Sequence, residues 1–97
     1  MQLEQDIIAV IRQYFATQPV LRAYLFGSFA RGEADEQSDI DVLVELDYSQ
    51  GVGMAFIRMQ LDLQRLLARK VDLVSARGLS KYIQPIMDRE KRLIYVR

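Results

Sequence analysis

The chain reads as an α/β (α+β) protein, with one small mixed β-sheet and helices packed mainly on one face. Three observations predict this. Residues 2–17 and 54–69 carry apolar side chains at helical spacing. Four shorter runs, 20–26, 39–46, 71–75 and 93–96, are apolar and rich in β-branched or aromatic residues. The length, 97 residues, suits a single domain over 1–97 with one modest core, which helices and strands must share.

Taken in order, residues 2–17 place Leu3, Ile7, Ile8, Ile11, Tyr14 and Phe15 along an amphipathic helix that ends near Pro19. Val20 to Phe26 is a first strand, broken by Gly27-Ser28. Residues 28–32 are expected to form a helical turn, followed by a polar loop from Glu33 to Ser38. Asp39 to Leu46 is a second strand, and Tyr48 to Gly53 a loop with two glycines. In the second long helix, 54–69, Met54, Ile57 and Leu61 lie on one side. Phe56, Met59, Leu63, Leu66 and Leu67 lie on roughly the other, so no single stripe holds them all. One side must meet the sheet; the other meets either further helices of the domain or a partner. Val71 to Ser75 is a third strand. Ser80 is the expected N-cap of a last helix reaching about Glu90, in which Pro85 marks a kink or a late start. Leu93 to Val96 closes the sheet. No repeat, linker or low-complexity segment interrupts this order.

Composition excludes several kinds of chemistry. There is no Cys and no His. Thiol catalysis, thiolate metal sites, Ser–His triads and imidazole-bound zinc are therefore outside this chain's own means. Any metal must be held by oxygen, which points to magnesium, manganese or calcium. Thirteen basic residues balance thirteen acidic ones. General nucleic-acid binding, which draws on a basic excess, is not expected. No apolar run approaches the ~20 residues that span a bilayer, and the polar, acidic start does not resemble a signal peptide. The expected setting is cytoplasmic, without membrane contact.

The informative stretch runs from Leu25 to Asp41. Gly27-Ser28 follows a strand and opens a helical turn. Glycine lets backbone come close to a ligand, the first amides of a helical turn suit phosphate, and the Ser28 hydroxyl adds a donor. Asp39 and Asp41 alternate with Ile40 and Val42, so on a strand both carboxylates face one way while the apolar pair enters the core. Like charges so placed repel, and a divalent cation would turn that cost into binding. An acidic strand edge is the plainer explanation of Asp-x-Asp alone. Asp72, inside the apolar run Val71-Asp-Leu-Val74, adds weight to the metal. If its strand pairs with the second, it turns a third carboxylate to the same face. Three such groups suit two cations ~3.5–4 Å apart.

These residues resemble the nucleotidyltransferase superfamily related to DNA polymerase beta, in its minimal nucleotidyltransferase branch. The shared signature is Gly-Ser, ten residues, then Asp-x-Asp; here it is Gly27-Ser28, residues 29–38, and Asp39-Ile40-Asp41. Gly27-Ser-Phe-Ala-Arg-Gly32, Ser38-Asp-Ile-Asp-Val42, Val71-Asp-Leu-Val74 and Leu93-Ile-Tyr-Val96 extend the likeness over nearly the whole chain. The resemblance implies nucleotidyl transfer from a nucleoside triphosphate with release of pyrophosphate. Asp39 and Asp41 would bind two Mg2+ ions, and Asp72 would bind the catalytic ion and help activate the acceptor hydroxyl. Gly27 and Ser28 would grip the triphosphate. Arg31 would either assist with phosphate charge or serve as a helix-surface cation.

Members of this branch stand beside HEPN-type toxins as antitoxins, some attaching AMP from ATP to a tyrosine of the toxin. The resemblance thus implies a magnesium-dependent protein adenylyltransferase with a HEPN-type partner. The alternative is an antitoxin that neutralises its partner by binding alone. The unmatched side of helix 54–69 would suit that partner or a homo-oligomer. A sugar transferase using Asp-x-Asp fits poorly, for the chain has no room for a sugar-binding half.

Overall fold

The computed structural model describes residues 2–35, 37–78, 81–82 and 84–97. Its elements are α1 (Gln2–Phe15), β1 (Val20–Phe26), β2 (Ile40–Leu46), α2 (Gly53–Leu67), β3 (Val71–Ser75), α3 (Gln84–Glu90) and β4 (Arg92–Val96). Single 3-10 turns at Tyr48–Gln50 and Ala76–Gly78 follow β2 and β3. The four strands form one mixed sheet in the order β3-β2-β1-β4. β1 runs antiparallel to both β2 and β4, while β2 and β3 are parallel. A parallel pair needs a crossover, and α2 supplies it.

Alternation along β2 decides the two faces. Ile40, Val42, Val44 and Leu46 are buried in the main core with Val20, Ala23 and Leu25 of β1 and Val71 and Leu73 of β3. Ile7, Ile11 and Phe15 of α1 and Met59 and Leu63 of α2 close this face. Burying each such aliphatic side chain is worth roughly 1.5–3 kcal/mol, so this layer carries most of the stability. The outer face bears Asp41, Leu43 and Glu45. There Leu43 and Met87 are buried outside the main cluster. α3 lies over this half of the face, and Tyr24, Leu43 and Glu45 share a small cavity of about 160 Å³ with its Gln84 and Asp88.

Side chains from the helices finish the sheet's edges. Gln64 and Gln60 of α2 accept from the Val71 and Leu73 amides at 3.2 Å each, tying down the outer edge of β3. Arg12 Nε of α1 donates to the Ile94 carbonyl of β4 at 2.5 Å. Edge groups satisfied in this way no longer template pairing with another chain. The Tyr14 hydroxyl donates to Asp62 at 2.5 Å and joins α1 to α2.

The expected elements are all present, with ends displaced for local reasons. α1 stops at Phe15 rather than at residue 17, and α2 stops at Leu67 because Ala68 takes a left-handed conformation, φ 53°. β2 starts at Ile40, which leaves Asp39 just outside the strand. Pro85 marks a late start and not a kink: α3 begins at Gln84, where the missing proline N–H costs nothing. The expected cap, Ser80, lies outside the described residues. On α2, Phe56 and Leu67 pack against the core as expected, but Leu66 is exposed with Met54, Ile57 and Leu61. No helix among the described residues is long and apolar enough to cross a membrane.

Candidate functional site

The site forms where β1 ends and where β2 and β3 begin. Parallel pairing sets Asp41 directly beside Asp72. Because Ile40, Val42, Val71 and Leu73 all enter the core, both carboxylates must turn to the outer face. Their crowding weakens Asp41 as an acid: its pKa is pushed up to about 6. Burial is the main cause, followed by the charge of Asp72, a hydrogen bond with Asp72, and the charge of Asp39. Two acids sharing one place cannot both ionise cheaply.

Gly27 explains how Asp41 fits. Its φ of 70° suits glycine, and a Cβ there would collide with the Asp41 carboxylate oxygen. Sequence reasoning assigned the freed space to a ligand; the Asp41 side chain occupies it. Beyond Gly27 the chain makes one helical turn and no full helix. The Arg31 amide donates to the Gly27 carbonyl at 3.1 Å, and the Glu33 amide to the Ser28 carbonyl at 2.9 Å. Ser28 stands at the head of this turn, where amides have no earlier helical carbonyl to bond.

Asp39 is placed differently from the other two. It is about half exposed, with its Oδ2 3.8 Å from Lys70 Nζ. It lies near enough to raise the pKa of Asp41, yet no cluster of three acidic side chains poised to hold a metal occurs among the described residues. The structure thus brings Asp41 and Asp72 together and holds Asp39 beside them against a lysine. The donor set is all oxygen and carries three carboxylates against one lysine, which fits a hard divalent cation such as magnesium. Such an ion would relieve the Asp41–Asp72 repulsion and compete with Lys70 for Asp39.

Arg31 is engaged in ion pairs with Glu33 (3.1 Å) and Glu90 (3.6 Å), linking the turn to the end of α3. Its side chain is about half exposed in these pairs. Sequence reasoning missed Arg69 and Lys70, which end the α2–β3 connection. The signal was available: a basic pair stands directly before the strand that carries Asp72.

The comparisons agree with this geometry. The nucleotidyltransferase domain family matches residues 7–96, and the chain belongs to that family. Within it, the likeness is to small members that modify proteins or pair with toxins. The chain is 39% identical over 72 residues to the protein adenylyltransferase MntA of Thermococcus cleftensis, covering 74% of this chain and 70% of that one. Its fold matches a candidate minimal nucleotidyltransferase with a TM-score of 0.76 and 34% identity, over 91% of this chain and 89% of the other. A toxin–antitoxin crystal structure with AMP-PNP matches with a TM-score of 0.68 and 26% identity, over 97% and 73%. The mixed α/β fold and the nucleotidyltransferase class expected from the sequence both hold.

Proposed function

We propose that this chain transfers AMP from ATP to a hydroxyl of a partner protein, as the antitoxin of a HEPN-type toxin. The observation that carries the reading is the pairing of Asp41 with Asp72 at one register, pressed against Gly27. Two half-buried acids packed side by side cost stability, and a fold keeps such a cost where binding or chemistry repays it. The MntA likeness and the AMP-PNP complex of a related toxin–antitoxin pair support the nucleotide and the partner.

In this mechanism Asp39, Asp41 and Asp72 would hold Mg2+ through their carboxylate oxygens. When bound, magnesium supplies charge neutralisation at the triphosphate and at the attacking and leaving oxygens. Ser28 and the first amides of its turn hold the terminal phosphates. Arg31 leaves Glu33 and Glu90 to add a cation there. Asp72 takes the proton of the acceptor hydroxyl. The hydroxyl oxygen forms a bond to the α-phosphorus, the bond from that phosphorus to the bridging oxygen breaks, and pyrophosphate departs.

The test uses ATP labelled at the α-phosphate, Mg2+, this chain and a HEPN-type toxin as the acceptor. Label is expected on the toxin hydroxyl. Asp41→Asn is expected to lower that labelling on the order of 100-fold or more, since several kcal/mol of charge stabilisation disappear. Copurification of the two proteins without labelling by any nucleoside triphosphate would replace this reading with neutralisation by binding alone.

A further inference from the structure

Three separate segments must be held in register for the site to work: the Gly27-Ser28 turn, Asp39, and the start of β3. Arg69 reaches the first, holds the residue before Asp39, and precedes the third in the chain. Its guanidinium lies 5.4 Å from the ring centroid of Phe29, the buried residue directly after Ser28. One of its nitrogens, Nη2, donates to the carbonyls of Asp35 (2.7 Å) and Ser38 (2.5 Å). Its own backbone lies two residues before Val71. The next residue, Lys70, accepts from the Ile40 amide through its carbonyl at 3.0 Å. Asp39 stands outside β2, so no strand ladder fixes it; it is instead bracketed, with Ser38 held by Arg69 and Ile40 held by Lys70.

We infer that Arg69 is a positioning residue that clamps the loop before Asp39 and so delivers the Asp39 carboxylate to the metal-binding end of the site. The role in metal binding rests on the function proposed above; the clamp itself does not. The geometry calls for arginine. A planar guanidinium can stack on Phe29 and still direct hydrogens at two carbonyls in its plane, whereas a lysine offers a compact ammonium that cannot do both. The loop has its own internal ties as well: the Ser38 hydroxyl accepts from the Asp35 amide at 2.9 Å, and Asp35 Oδ1 accepts from the Gln37 amide at 2.8 Å. Arg69 therefore anchors a loop that is already folded and does not have to build it.

Two measurements on the full chain test this, with Arg69→Met keeping the apolar stem and Arg69→Lys keeping the charge. In hydrogen–deuterium exchange without ligand, Arg69→Met is expected to speed exchange in peptides covering 33–40 by about tenfold, the factor that follows from losing a hydrogen-bonded clamp. Peptides from β4 should be unchanged. In calorimetric titrations with AMP-PNP, the same variant is expected to need about tenfold more Mg2+ for half-maximal binding, with Arg69→Lys in between. General loosening would instead speed exchange throughout and leave the Mg2+ requirement alone. Unchanged exchange at 33–40 overturns the clamp. Faster exchange there with an unchanged Mg2+ requirement overturns its link to Asp39. Failure of the unaltered chain to bind AMP-PNP at any Mg2+ concentration would sink the proposed function and the metal-positioning role together, while the exchange result still decides the clamp.

Discussion

Asp41 and Asp47 stand at opposite ends of the same strand and are treated in opposite ways. Asp47, just beyond β2, accepts from the Ser49 amide and hydroxyl, from Gln50, and from Arg97 at 2.6 Å. These donors, with Ser49 foremost, hold its pKa down to about 2. Asp41 receives another carboxylate as its neighbour, and its value is pushed up to about 6 by burial and then by Asp72. The fold plainly has the means to neutralise an acid. It applies them at the end that caps a turn and secures the last residue of the chain, and withholds them at the end beside Gly27. One aspartate serves architecture; the other is held at a cost to it, as the proposed site requires.

Alanine at Asp47 should give the largest change in stability, because a turn cap and the Arg97 pair are lost together. The melting temperature should fall by roughly 5–10 °C at neutral pH. Since folding lowers the Asp47 value, its contribution is present above the unfolded pKa near 4 and fades as pH falls through about 2. Thermal melts of Asp47→Ala and the parent should therefore differ equally from pH 5 to 8 and converge in strong acid. A difference that grows on acidification would break the comparison.

Asp41→Asn should act in the opposite sense and by a smaller amount. Folding raises the Asp41 value, so the ionised form is a burden that appears as pH rises through about 6. Removing the charge at pH 7.5 should stabilise the chain by about 1 kcal/mol, an effect moderated by solvent at this half-open position, or roughly 4–8 °C in melting temperature. Below pH 4 the gain should vanish, because the parent carboxyl is then neutral as well. Urea denaturation at pH 4 and 7.5 checks this. A variant destabilised at pH 7.5 would mean that Asp41 is structurally satisfied, which would remove the argument for a site.

The contrast also marks what could be read from the sequence. The alternation of Asp39, Ile40, Asp41 and Val42 was enough to predict a strand with a core face and a charged face. Asp72 in an apolar run was enough to place a third acid near them. These are local patterns, carried by residues two apart. The Lys70 contact to Asp39, the Arg69 clamp on Asp35 and Ser38, and the tie from Arg31 to Glu90 join residues 31, 34, 31 and 59 positions apart. No periodicity encodes such contacts; they appear only after the sheet order brings β3 beside β2. The use of Gly27 was legible as a need for closeness, but its near neighbour, Asp41, was not. Among the described residues, only one side of α2 is covered. Met54, Ile57 and Leu61 stay exposed along a groove shared with Arg58, Asp62 and Arg65.

The smallest predicted effect lies midway between the two aspartates. Glu45 shares the outer face of β2 with Asp41, and Arg22 Nη1 approaches it at 3.3 Å while the Tyr24 hydroxyl donates to it at 2.7 Å. Arg22 is about half exposed, so its pair with Glu45 operates mostly through water and pays side-chain entropy. Arg22→Ala should cost only about 0.2–0.5 kcal/mol, and less in 0.5 M salt. The hydroxyl of Tyr24 remains to satisfy Glu45, and Lys91, 4.4 Å from the Tyr24 ring, keeps a cation close by. A cost well above 1 kcal/mol would show that this face depends on paired charge along its whole length, so the unpaired acids at Asp41 and Asp72 would stand out even more sharply. A near-zero cost would place the electrostatic tension of the face at its Gly27 end alone, where the proposed chemistry occurs.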